Sequence, residues 1–149
     1  MASQEAVPNE PLTVEQQATE AKLLGNQHFR NKQFALALAQ YSLALTLTPS
    51  NPVLLLNQSA GRHALGDYVG ALEDADLALK LDPGREKAFV RKARALESLQ
   101  RFPEARVAME DCVKANPKSS DEHREYLKEL VAKDDGWCDS FLSVLVGFS

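Results

Sequence analysis

One interval recurs along the chain and limits what it can fold into. Pro49, Pro83 and Pro117 stand 34 residues apart (83 − 49 and 117 − 83). Three further sets keep the same spacing: Phe34, Tyr68 and Phe102; Ala37, Ala71 and Ala105; and Ala44, Ala78 and Cys112. Agreement at four positions across three units excludes a single unrepeated globule, because each unit of an array must stack on its neighbour to bury its apolar side. Punctuation along the sequence falls in step with the period. Thr13-Val-Glu-Gln16 has the form of a capping box that would start a helix. Asn51-Pro52 offers an N-cap followed by proline at the first helical position, and Pro103 can open a helix in the same way. Gly66-Asp67 marks a turn inside the middle unit.

A 34-residue unit with an aromatic residue in its middle, small residues a helical turn or more later and a closing proline resembles the tetratricopeptide repeat (TPR), with three copies covering roughly Gln17 to Pro117. The resemblance implies an all-α fold of three antiparallel helix pairs wound into a right-handed superhelix. The small residues would let paired helices approach, and the aromatic ring would plug the turn between them. After Pro117, Ser119 and Glu122 form a second capping-box pattern. The stretch HREYLKELVAKDD that follows carries Tyr126, Leu127, Leu130 and Val131 on one stripe. A seventh helix with one polar side is what the open end of an array requires. The chain therefore divides into a flexible tail over residues 1–12, a repeat domain with its capping helix over 13–133, and an apolar C-terminal tail over 134–149.

Formal net charge is −4, so the molecule as a whole attracts neither nucleic acid nor an anionic membrane, and any anion it binds must be held by a local patch. Arg85, Lys87, Arg91, Lys92 and Arg94 nevertheless crowd into ten positions. At 100° per residue Lys87, Arg91 and Arg94 fall within about 60° of each other on a helix, with Arg85 and Lys92 well away from them. In TPR domains the first helices of successive repeats line a concave groove, and repeat position assigns Lys87, Arg91 and Arg94 to it. Lys22 and Asn26 share a face of the first such helix, and Asn57 points inward in the second.

Lys22, Asn26, Asn57, Lys87 and Arg91 match, residue by residue, the two-carboxylate clamp of co-chaperone TPR domains. The resemblance implies a partner: the C-terminal Glu-Glu-Val-Asp of the seventy- or ninety-kilodalton heat-shock chaperone. A chain ending in Asp presents two carboxylates. Lys and Arg supply charge to them, while Asn supplies amide donors of fixed direction and an acceptor for a ligand N–H. Arg30, His63 and Arg94 project to the same groove as secondary contacts. His63-Ala64 stands where several relatives carry a small residue followed by lysine, so the anchor is kept and an auxiliary charge is missing.

The alternative is a general TPR scaffold whose groove binds some other segment of a protein. No Ser-His-Asp, Cys-His, HExxH or phosphate-cradling glycine pattern occurs, so the chain is expected to be no enzyme, with no cofactor and no metal. His28 is expected in the core at an aromatic position, as are Tyr41, Met109 and Cys112. The two cysteines, Cys112 and Cys138, have no metal-ligand spacing, and the N-terminus has neither the basic start nor the apolar run of a leader. A cytoplasmic or nuclear monomer with no transmembrane segment is the expectation. Phe141, Leu142, Val144, Leu145, Val146 and Phe148 form a stretch too short to span a bilayer. It could dock on the repeats, join a second copy, touch a membrane surface or stay unstructured.

Overall fold

The computed structural model describes residues 10–146, with side chains through Gly136. Seven helices follow one another: α1 (Val14–Arg30), α2 (Phe34–Leu47), α3 (Pro52–Ala64), α4 (Tyr68–Leu81), α5 (Glu86–Ser98), α6 (Phe102–Ala115) and α7 (Asp121–Val146). Each packs against the next, and α3 also touches α1 on one side and α5 on the other. The odd-numbered helices of the repeats thus stand side by side as one wall.

The period becomes physical in the pairing of helices. Ala37, Ala44, Ala71, Ala78, Ala105 and Cys112 are all buried, each at a place where a larger side chain would hold two helices apart. The turn within each repeat contains a residue in the left-handed region at the same interval: Lys32 (φ 59°), Gly66 (φ 82°) and Gln100 (φ 58°). Only the middle turn uses the residue that adopts this conformation without cost. Just after the first of these turns Phe34 meets Phe29 edge-on, with ring centroids 5.1 Å apart. Tyr68 meets His63 at 5.0 Å in the second repeat. In the first two repeats the recurring aromatic does plug the turn.

Helix starts follow their signals closely, with one exception. Thr13 and Gln16 exchange both bonds of the capping box. Asn51 caps α3 by accepting from the N–H groups of Val53 and Leu54, with Pro52 beginning the helix. At α7 the expected box of Ser119 and Glu122 gives way to its neighbour. Ser120 accepts from the His123 N–H, while the Ser119 hydroxyl lies 3.0 Å from the His123 ring.

Leu130 is fully buried against Ala93, Leu96, Met109 and Cys112, with Tyr126 and Leu127 packed around it, so α7 closes the last repeat. The backbone of α7 stays helical to Val146, past the boundary drawn at residue 133; Gly136 costs the helix only about 1 kcal/mol relative to alanine. The apolar side chains of the tail lie outside those described, as do residues 1–9 of the N-terminal tail. No helix among the described residues is long and apolar enough to cross a membrane.

Candidate functional site

A cavity of about 290 Å³ opens on the wall formed by α1, α3 and α5, lined by Asn26, Phe29, Arg30, Tyr41, Asn57, Ala60, Lys87 and Arg91. Four of the five clamp residues expected from the sequence meet there, together with Arg30. The fifth, Lys22, sits one turn before Asn26 in a smaller hollow of about 160 Å³ beside Glu15, Thr48 and Asn51.

The other two secondary candidates hold the wall together beyond the cavity. His63 Nε2 lies 2.9 Å from the Ser98 hydroxyl, tying α3 to α5. Burial, together with the cations Arg91 and Arg94, keeps its pKa below the ordinary value despite opposing contributions from the Arg94 backbone and Glu97. Arg94 lies over the ring of Tyr126 with its guanidinium 5.8 Å from the centroid, linking α5 to the capping helix.

Electrostatics separate the two sides of α5. Arg85 pairs with Asp82 at 2.8 Å and Lys92 with Asp76 at 2.8 Å, so these charges are neutralised on the outer surface. Lys87 and Arg91 have no carboxylate within ion-pair distance among the described residues. Burial lowers the Lys87 pKa, and Arg91 and Arg85 add to the effect. Arg91 is lowered by burial and by Arg94, with Tyr41 opposing. Both cations are thus held where water is partly excluded and their neighbours are positive, which is a standing demand for an anion.

Tyr41 was expected in the core, and it is 2% exposed. Its hydroxyl nonetheless reaches the cavity and donates to Asn26 Oδ1 at 2.7 Å. Asn57 Nδ2 approaches the same oxygen at 3.4 Å. One signal was available in the sequence: the repeat-equivalent positions are Ala75 and Met109, so only the first repeat places a hydroxyl there. His28 departs from expectation. It is half-buried, with Nδ1 2.8 Å from Gln33 Oε1, and helps close the first turn instead of filling the core. Met109 and Cys112 are fully buried, and burial followed by the nearby Glu86 pushes the Cys112 thiol up to about 11.

No family model matches the chain. The crystal structure of the Sgt2 TPR domain from Aspergillus fumigatus superposes with a TM-score of 0.77 at 29% identity, covering 84% of this chain and 85% of that one. The chain is a tetratricopeptide-repeat domain. A second TPR domain, the first of Spaghetti (RPAP3) bound to the HSP90 peptide SRMEEVD, superposes with a TM-score of 0.74 at 27% identity over 79% of this chain and 93% of that one. Among curated proteins, Protein STIP1 homolog of Dictyostelium discoideum is 39% identical over 102 residues, 68% of this chain and 18% of that protein. The TPR domain described here therefore spans less than a third of the length of curated relatives such as this one.

Proposed function

We propose that this TPR domain is a noncatalytic adaptor that grips the free C-terminus of a heat-shock chaperone, a tail ending in Glu-Glu-Val-Asp, from the seventy- or ninety-kilodalton class. One observation carries the proposal: Asn26, Asn57, Lys87 and Arg91, from three successive repeats, line a single cavity, and neither cation has a carboxylate partner among the described residues. A terminal aspartate brings two carboxylates to that spot. Lys87 and Arg91 provide the charge, the asparagine amides provide directed donors, and Lys22 swings in from its hollow to the outer carboxylate oxygen. The likeness to a TPR domain bound to a peptide of this sequence supports the same reading. An adaptor of this kind works in the cytoplasm.

Charge-assisted bonds contribute roughly 1.5–3 kcal/mol each before costs. Ordering a flexible peptide end removes several of those. What remains is about −8 kcal/mol, an affinity around micromolar and therefore readily exchanged. Calorimetric titration with a Glu-Glu-Val-Asp peptide tests this, using the free acid and the C-terminal amide in parallel. The free acid should saturate at micromolar concentrations and the amide should lose most of the binding. Equal binding of the two would point to a scaffold that reads some other feature of its partner, and no saturation at millimolar free acid would end the proposal.

A further inference from the structure

The clamp residues are side chains that must point the right way before a ligand arrives, and for Asn26 this is a real question. An asparagine amide has an acceptor end and a donor end of nearly identical shape, and a half-turn of the side chain exchanges them. A carboxylate entering the cavity can use only the donor end. The other end would present a carbonyl dipole to an anion and lose the contact.

We infer that Tyr41, buried in the second helix of the first repeat, is a positioning residue for the site: its hydroxyl donates to Asn26 Oδ1 at 2.7 Å and so holds the Asn26 amide with its N–H₂ group turned to the ligand. The inference rests on the clamp proposed above. Three observations bear on it. Tyr41 is 2% exposed, so its ring cannot swing aside and its hydroxyl is fixed in place. The same oxygen faces Asn57 Nδ2 at 3.4 Å, so once the hydroxyl has set the Asn26 orientation the Asn57 amide is turned to match it. Burial also keeps the phenol in its protonated, donating form, outweighing the opposing pull of Arg30 and Arg91.

The sequence also makes room for this ring at one place only. A Cβ built on Gly25 would stand 2.5 Å from Tyr41 Cε1 and 2.7 Å from Cδ1, closer than side chains approach. The repeat-equivalent pairs to Gly25 and Tyr41 are Ser59 with Ala75 and Ala93 with Met109. Where the second helix carries the largest side chain, the first helix carries none. Gly25 is thus the counterpart of Tyr41, and the residue next to it along α1 is Asn26 itself. Position 25 admits the ring, the ring aims the hydroxyl, and the hydroxyl orients the neighbouring amide.

The test needs two readouts, so that failure of the clamp and failure of the positioning role are separable. The first uses ¹⁵N-labelled protein without ligand. In the wild type the two Asn26 side-chain amide protons should give a sharp, well-dispersed pair, and in Tyr41→Phe the pair should shift or broaden while the backbone spectrum is kept. The second is titration with the free-acid Glu-Glu-Val-Asp peptide. Tyr41→Phe should bind about fivefold to tenfold more weakly, the effect of one lost hydrogen bond. In an Asn26→Ala background the same change should have no further effect. Gly25→Ala, which keeps the hydroxyl but displaces the ring, should reproduce the Asn26 signal change. An unaltered Asn26 pair in Tyr41→Phe, or full additivity of the two substitutions, overturns the positioning role. If the wild type binds no free-acid tail, the clamp falls, and the ligand-free spectrum still decides whether Tyr41 orients Asn26.

Discussion

The two faces of α5 carry the same kinds of side chain under opposite electrostatic conditions. On the outer side Arg85 and Lys92 each have a carboxylate at 2.8 Å, and their charge is spent within the molecule. On the groove side Lys87 and Arg91 stand a helical turn apart, with Arg94 three residues beyond, and repulsion between like charges at such spacing destabilises a helix. Burial at Lys87 and Arg91 works against both charges as well. A face that stability alone would neutralise has been left positive, in a chain whose formal charge is −4. The cost is modest locally, and the proposed carboxylate ligand would recover it.

The sharpest way to break that contrast is to remove a groove charge. Arg91→Ala or Lys87→Ala should weaken binding of the free-acid tail by about a hundredfold, at the upper end of what one charge-assisted contact contributes. The thermal midpoint should stay within about 2 °C, because the lost side chain has no ion pair to break and one repulsion is relieved. Calorimetry and circular dichroism on the same samples settle the matter. A large fall in stability with binding retained would mean that these cations hold the fold and not a ligand. Salt gives a milder version of the same test. Raising ionic strength from about 0.05 M to about 0.5 M should weaken wild-type binding roughly tenfold while leaving the midpoint nearly unmoved, since the contact is screened only in part.

A third side of α5 looks toward the capping helix, and there a carboxylate, Glu97, stands among the cations Arg94 and Lys133. Glu97 accepts from the Tyr126 hydroxyl at 2.7 Å and from the Lys133 ammonium. Burial alone would raise its carboxyl, but the hydrogen bonds from Lys133 and Tyr126 and the charges of Lys133 and Arg94 together outweigh burial and hold it below its ordinary value of 4.5. A folded value depressed in this way adds stability that is present above the unfolded value and is lost as pH falls through the folded one. Glu97→Gln should therefore cost about 1 kcal/mol at pH 7 in urea denaturation, with wild type and variant converging as the pH drops below 4. A difference that persists at pH 3 would place the effect in packing. Peptide affinity at pH 7 should hardly change, because Glu97 anchors α7 and not the ligand.

What could be read from the sequence depended on how local the determining physics is. Proline, alanine and aromatic spacing reports helix pairing directly, since a small residue is needed wherever two backbones meet, and so the architecture was visible before any coordinates. Caps are equally local, yet Ser119 and Ser120 are identical neighbours, and the choice between them turns on which one the chain presents to the His123 N–H. His28 was misassigned because a repeat position was equated with an environment, when the nearby Gln33 offered the ring a partner at the surface. The expectation that Asn26, Asn57, Lys87 and Arg91 share one groove came from the resemblance to TPR domains together with helical phase, and the four do line one cavity. The role inferred for Tyr41 had no such source, because it depends on a contact between helices, Gly25 against the ring, that no single-helix projection contains. Lys22 marks the limit of that method: it shares a helix face with Asn26 and yet lines the neighbouring hollow.

The smallest expected effect is also the control on which the contrast rests. Lys92→Ala removes a cation from the same helix, one residue from Arg91, and breaks the pair with Asp76. That pair joins side chains 33% and 42% exposed, and ion pairs this open to water contribute between nothing and about 1 kcal/mol. Stability should fall by no more than about 0.5 kcal/mol, and affinity for the free-acid tail should stay within about twofold of wild type. If the groove acted merely through the summed positive charge of α5, losing Lys92 would weaken the peptide as much as losing Lys87. An equal loss would therefore remove the distinction between the faces, whereas a flat result beside the hundredfold effect at Arg91 would tie recognition to direction and not to charge count.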